Sequence, residues 1–168
     1  RQARPAGRLD EFSSLLAEHA EQAGETLPAA RWLLRAGKWA FRRGASRSAQ
    51  RAFAHGLKLA PASETELHWQ LLLDHDEVLG TLGEMQARQG ADQELLSAAL
   101  TINNPTYIAD AYLRIGYPQS KLGEEPAALS AYDACILAAN QASNLRLETL
   151  AMGLKIIRLI HLGLMDKA

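Results

Sequence analysis

The sequence predicts an all-α protein, and three observations carry that prediction. Alanine and leucine are abundant and β-branched residues scarce, so helix-favouring side chains dominate. No stretch alternates apolar and polar residues with the period of two that a half-buried strand needs. Gly44, Gly83, Gly123 and Gly163 stand 39, 40 and 40 residues apart, each at the end of an apolar-periodic segment, so helix pairs recur with a period near forty. Alanine follows five residues after three of these glycines, at Ala49, Ala128 and Ala168. Gly24 with Ala29 repeats the local pattern 20 residues before Gly44, which makes the second helix both partner of the first and leader of the next pair. The expected architecture is an α-solenoid of antiparallel helix pairs, about eight helices in all.

Taken in order, residues 1–9 read as a Pro/Gly/Arg-rich lead-in from a preceding domain, and 10–168 as the helical repeat domain. Asp10 is placed to cap a first helix, EFSSLLAEHAEQA, which Gly24 ends. A second helix follows Thr26, tolerates Pro28 in its first turn and runs to about Arg43; a third covers Ser46 to Ala60. Ser63 and Glu66 have the spacing of a capping box and open a fourth helix that ends at Leu82. The fifth lies within Glu84 to Thr101, with Gly90 able to delay its start. Asn104 and Pro105 supply an N-cap and first-turn residue for the sixth, in which Pro118 predicts a kink near Arg114 to Pro118. The seventh runs from Glu125 to about Ala142 and the eighth from Asn144 to Leu162. The chain opens without an initiator methionine and closes in what reads as the first turn of another helix, so it reads as a piece of something longer, truncated at its C-terminal end.

Composition bounds the function. With 168 residues and 48% hydrophobic side chains, the chain can bury a sizeable core. A net charge of −1 argues against general nucleic-acid affinity, which requires a basic excess to release counterions. The single cysteine, Cys135, excludes an internal disulfide and suits a reducing cytoplasm. The most apolar stretch, Leu145 to Leu164, carries Arg146, Glu148, Lys155, Arg158 and His161, too many charges for a bilayer span.

The stretch from Ala30 to Pro61 carries a more specific signal. Leu33, Ala36, Gly37, Gly44, Ala49, Phe53, Gly56 and Pro61 sit at offsets that let two helices approach closely, and in this spacing the stretch resembles a tetratricopeptide repeat. The aromatic usual in the middle of the first helix is replaced by Ala40. A second unit runs from Ala109 to Asn140, with Tyr112, Ile115, Gly116, Gly123, Ala128, Tyr132 and Cys135 at signature positions. The unit between them, led by Trp69 and Leu72, is degenerate, with Asp76 where a small residue and Arg88 where alanine is expected. A period of forty exceeds the usual unit of about thirty-four residues, which implies longer helices or looser turns. The resemblance implies a right-handed superhelix. More widely, RLDE before the first helix, AEQAG at its end, AARWLLRAG and AFAHGLKLAP resemble the helical repeat region after the ATPase module of bacterial class III adenylate/guanylate cyclases and related signalling ATPases. That resemblance implies a large signalling parent.

Catalysis finds no candidate motif: no phosphate loop, GxSxG, HExxH or CxxC occurs. The run Asp74, His75, Asp76, Glu77, with His68 seven residues earlier, is the one cluster that suggests a metal or acid/base site. Consecutive helical residues point in different directions, however, and only His68 with His75, or Glu64 with His68, share a face. No metal or other cofactor is therefore expected. His19, His55 and His161 are isolated, and Trp32, Trp39 and Trp69 read as packing residues.

The charge pattern is more informative. Arg31, Arg35, Lys38 and Arg42 fall at i, i+4, i+7 and i+11 on the second helix, with Arg43, Arg47 and Arg51 beyond and no acid between Arg31 and Arg51. One reading is a solvated face balanced by Glu11, Glu18, Glu21 and Glu25; the other is a dock for an acidic peptide or neighbouring domain. The tetratricopeptide resemblance implies a partner groove on the leading helices, formed by Arg31, Leu34, Lys38, Phe41 and Arg42 in one repeat. In the other it implies Asp110, Leu113, Tyr117, Ser120 and Lys121, with Gln70, Leu73 and Glu77 between. The last helix is apolar except along Lys155, Arg158 and His161, so it expects cover and offers a route to self-association. The function expected is a non-catalytic protein–protein interaction scaffold in the cytoplasm, binding a partner segment or neighbouring domains of its own chain. The alternative is an autonomous α-helical enzyme or metal- or ligand-binding domain with a site around His68 to Glu77.

Overall fold

The computed structural model describes residues 6–61 and 63–163. Among them the protein is all-helical, with nine helices: Ala6–Glu11 (α1), Ser13–Gln22 (α2), Thr26–Arg42 (α3), Ser46–Leu59 (α4), Thr65–Leu82 (α5), Met85–Ile102 (α6), Pro105–Leu122 (α7), Glu125–Gln141 (α8) and Leu145–His161 (α9). No helix among the described residues is long and apolar enough to cross a membrane.

The ninth helix comes from the start of the chain and corrects the expected eight. Asp10 does not cap a helix; it lies inside α1. The helix breaks at Phe12 (φ −96°, ψ 0°), where the Ser13 hydroxyl donates to the Asp10 carbonyl at 2.6 Å. A serine side chain that bonds back to the preceding turn competes with the helical ladder, and here it accompanies the break. Two other local expectations also differ. The capping box of Ser63 and Glu66 is not formed: the N-cap of α5 is Glu64, with no side-chain cap bond. Gly90 does not delay α6, which starts at Met85 and runs through it. Pro118 sits buried inside α7, which continues to Leu122 as one helix. The Asn104 cap is made as expected, its side chain accepting from the Thr106 amide at 2.9 Å with Pro105 in the first turn.

The turn glycines behave as their spacing predicts. Gly24, Gly44, Gly83, Gly123 and Gly163 all have φ between 66° and 81°, the left-handed conformation that ends a helix and that glycine adopts without strain.

The chain divides into two compact units, Arg1–Glu84 and Met85–Ala168. In the first, α3 packs against α2 and α4, α4 against α5, and α5 reaches back to touch α3. Ala30, Leu34, Ala40, Ala49, Phe53, Leu67, Leu71 and Val78 form its core. The small residues predicted to admit a close approach do so. A Cβ on Gly37 would stand 2.6 Å from Cδ1 and 2.7 Å from Cζ of Phe53, so the ring occupies the space a side chain would need. Gly56 admits Leu71 in the same way, with Cδ2 2.8 Å from the position of a Cβ.

In the second unit α7 packs against α6 and α8, α8 against α9, and α9 touches α7. Gly116 lies under Tyr132, whose Cε1 would be 2.5 Å from an added Cβ. The interlock of Gly37 with Phe53 thus recurs as Gly116 with Tyr132, both residues displaced by 79 in the sequence. Burying such a ring stabilises by roughly 1.5–3 kcal/mol, and only a glycine opposite it lets the helices close enough to do so. Cys135 is enclosed with Ala109, Ala138, Ala139 and Ala151. Burial, reinforced by the nearby charge of Asp110, pushes its thiol from the usual 9.0 up to about 11.

Of the two degenerate positions, Arg88 is half-buried and Asp76 is interior. Asp76 stands where the interlock has glycine and is 0% exposed; Asp92, sixteen residues on, stands where it has the ring and is 1% exposed. The division between the units falls between these two residues.

Candidate functional site

The predicted basic stripe exists as a geometric feature of α3, with charge partners other than those expected. Arg31 pairs with Glu64 at 3.1 Å and Lys38 with Asp74 at 3.3 Å, both acids coming from or just before α5. Arg35 and Arg42 converge on Asp10 of α1: Arg35 Nε lies 2.5 Å from Oδ1 and Arg42 Nη2 3.0 Å from Oδ2. The hydrogen bond from Arg35, then the charges of Arg35 and Arg42, hold the Asp10 carboxyl below its ordinary range against the opposing effect of burial. Glu21 of α2 faces His55 at 3.1 Å, so it is not one of the counter-charges of α3.

The rest of the basic run diverges from the stripe. The Arg43 guanidinium lies 4.8 Å from the centroid of the Trp39 ring. Arg47 and Gln50 both donate to Glu84, whose carboxyl is held low chiefly by the hydrogen bond from Arg47. Arg51 donates to the Ser48 hydroxyl at 3.3 Å.

The candidate groove residues of this unit differ in access. Arg31 and Arg42 keep 63% and 62% of their side-chain surface exposed, whereas Leu34 is buried in the core and Phe41 packs half-buried against it. The floor of the face is supplied instead by half-buried Trp32, stacked under Arg35 at 5.6 Å; Pro28, Arg31, Trp32 and Arg35 line a surface cleft of about 330 Å³. Of the middle positions on α5, Gln70 donates to Glu66 at 3.2 Å, Leu73 is half-buried and Glu77 is exposed.

In the second unit Asp110 accepts from Arg114 at 3.0 Å, one turn along α7. Leu113 packs half-buried beside the Cys135 cluster. Tyr117 is exposed, with Arg88 at 5.3 Å and Lys121 at 5.4 Å from its ring centroid, so two cations bracket one aromatic face region. Ser120 is buried and hydrogen-bonds the Tyr132 hydroxyl; burial is the main cause that raises the tyrosine's pKa.

The His68 to Glu77 segment is divided among structural roles. His68 Nε2 donates to the Ala60 carbonyl at 3.0 Å, Asp74 meets Lys38 and Asp76 is interior. Among the described residues no group of three or more His, Cys, Asp or Glu side chains is placed to hold a metal ion.

Sequence reasoning missed Asp10, read as a cap, and the roles of Glu64 and Asp74. These acids lie 25 to 36 residues from their cations, beyond any local pattern. The repeat period is the one signal that brings α5 beside α3 and could have pointed to Glu64 and Asp74. Neither a comparison with protein-family models nor one with curated proteins gives a match to this chain.

Proposed function

We propose that the chain is a non-catalytic scaffold of tetratricopeptide-like helix pairs that docks an acidic protein segment along α3. The observation that carries this reading is the stripe of Arg31, Arg35, Lys38 and Arg42 on one helix face, beside a Trp32 cleft. Its present counter-ions are the chain's own carboxylates, and Arg31 and Arg42 stay mostly exposed beside them, so another anion can reach the stripe and compete for it. Supporting the repeat architecture are the duplicated glycine-to-ring interlocks and the helices that touch their second neighbours, α3 with α5 and α7 with α9. In the second unit Arg88, Tyr117 and Lys121 offer a further cationic and aromatic contact. The scaffold belongs, on this reading, to a cytoplasmic signalling ATPase or nucleotide cyclase, and the docked segment is either a partner protein or a neighbouring domain. Titrating a fluorescein-labelled peptide of alternating glutamate and glycine, read by anisotropy, tests it. The expected result is salt-sensitive binding weakened by Arg31→Gln with Lys38→Gln; no binding at low salt overturns the reading.

A second copy of the chain is the proposed occupant of α9. Leu145, Leu150, Ile156, Ile157 and Ile160 are between 45% and 72% exposed, around a shallow groove that includes Gly153. Two cations of the helix are paired within the unit, Lys155 with Asp133 at 2.7 Å and Arg158 with Glu125 at 3.6 Å, while Arg146 lines the groove at its start. Two such faces meeting would bury apolar surface, with Arg146 at the rim.

A further inference from the structure

We propose that α1 is an internal latch: Asp10 occupies the seat on Arg35 and Arg42 that an acidic partner segment takes, and the segment binds by displacing it. This rests on the reading of α3 as the docking face and adds what controls access to it.

The seat is built for one carboxylate. Arg35 and Arg42 lie seven residues apart on α3, two turns along the same face, and each takes a different oxygen of Asp10, at 2.5 and 3.0 Å. Charge-assisted contacts to both oxygens fix a carboxylate in position as well as attract it. The same contacts lower the pKa of Asp10, a carboxyl that is ionised at neutral pH in any case.

Little else described in α1 holds it in place. The helix has six residues, too few to be stable alone, and it is joined to α2 through the break at Phe12. The apolar side chains flanking Asp10 stay in solvent: Leu9 is 47% exposed and Phe12 53%. The ion pairs of Asp10 are therefore the main described tie between α1 and α3, and a peptide carboxylate offers the two arginines the same charge and the same two oxygens, an exchange of like for like. Beside the seat lies the cleft of Pro28, Arg31, Trp32 and Arg35, about 330 Å³, with Arg35 common to both. A peptide acid on Arg35 and Arg42 can thus place a neighbouring residue in the cleft over Trp32.

The test uses the same glutamate–glycine peptide with the full chain. Asp10→Asn keeps the side-chain shape and removes the competing charge, so the peptide should bind about threefold to tenfold tighter than to the wild type. Adding Arg35→Gln and Arg42→Gln should abolish that gain. In the wild type, saturating peptide should move the carboxyl carbon resonance of Asp10. The latch is overturned if Asp10→Asn binds no tighter, if the gain survives loss of both arginines, or if the Asp10 resonance stays fixed at saturation. In those cases continued weakening by Arg31→Gln with Lys38→Gln leaves the docking face standing, whereas absence of binding in every variant overturns both. An equal gain for an oligothymidylate of matched charge overturns the assignment of the partner as a peptide.

Discussion

Replacing Gly37 with alanine sets two opposing effects against each other, and the structure says which wins. In an ordinary helix interior the change stabilises, because alanine exceeds glycine in helix propensity by about 1 kcal/mol. Here the new methyl would stand 2.6–2.7 Å from Phe53 ring carbons, against the roughly 3.5–4.0 Å of an unstrained carbon contact. The ring cannot swing away, because Phe53 is 1% exposed and belongs to the core with Ala49, Leu34 and Leu71. The helices must then part by most of an ångström, and overpacking of this kind costs about 1–3 kcal/mol. The expected net effect is a loss of up to about 2 kcal/mol, a fall of up to about 1 M in the urea midpoint at an ordinary slope. Fluorescence reads the right part of the molecule: Trp32, Trp39 and Trp69 all lie in Arg1–Glu84, while the four tyrosines lie in Met85–Ala168. With Phe53→Leu in the background the penalty should shrink, giving a coupling of about 1 kcal/mol in a double-mutant cycle. A more stable Gly37→Ala protein would refute the close approach of α3 and α4, and with it the basis for reading Gly116 and Tyr132 the same way.

Two further outcomes follow from the second unit. Cys135 has a folded-state pKa raised from 9.0 to about 11, so the folded state favours the neutral thiol. Its contribution to stability is complete below pH 9 and is lost as the pH rises towards 11. Urea titrations of the wild type and Cys135→Ala across that range should converge in stability at the alkaline end; a constant difference would refute the shift. Ile157→Asp on the exposed face of α9 should leave the fold intact and abolish concentration-dependent growth in mass by light scattering. A wild-type protein that stays monomeric at high concentration would remove the proposed self-association.

The helix pattern was legible because its determinants are local. A turn glycine with positive φ, an asparagine–proline helix start and an apolar stripe each act within a few residues, and Gly44, Asn104 and the face of α3 stand where the sequence places them. Even the contact of Gly37 with Phe53 was foreshadowed, since a small residue sixteen positions before a ring recurs at Gly116 and Tyr132. The charge partners were not legible. Arg35 and Arg42 face an aspartate from a short helix whose existence depends on the break at Phe12, and Asp10 looked like a cap because aspartate before an apolar run commonly is one. Asp76 announced itself as a departure from the repeat, but nothing local marked Asp92 as its counterpart in burial.

Among the described residues of each unit, a helix touches only those one or two places away along the chain. Such neighbourly topology belongs to the fast-folding class, because no distant loop has to be closed before native contacts form. A ribosome adding about 5–20 residues per second needs about 2–8 s to deliver one helix pair of forty residues, far longer than helices of this kind take to dock. Phe53 can therefore settle over Gly37 while much of the second unit is still unmade. Each unit can assemble as it is synthesised, each of its helices covering the apolar face of the one before, so that a unit in the making need never expose more than one unfinished surface at a time.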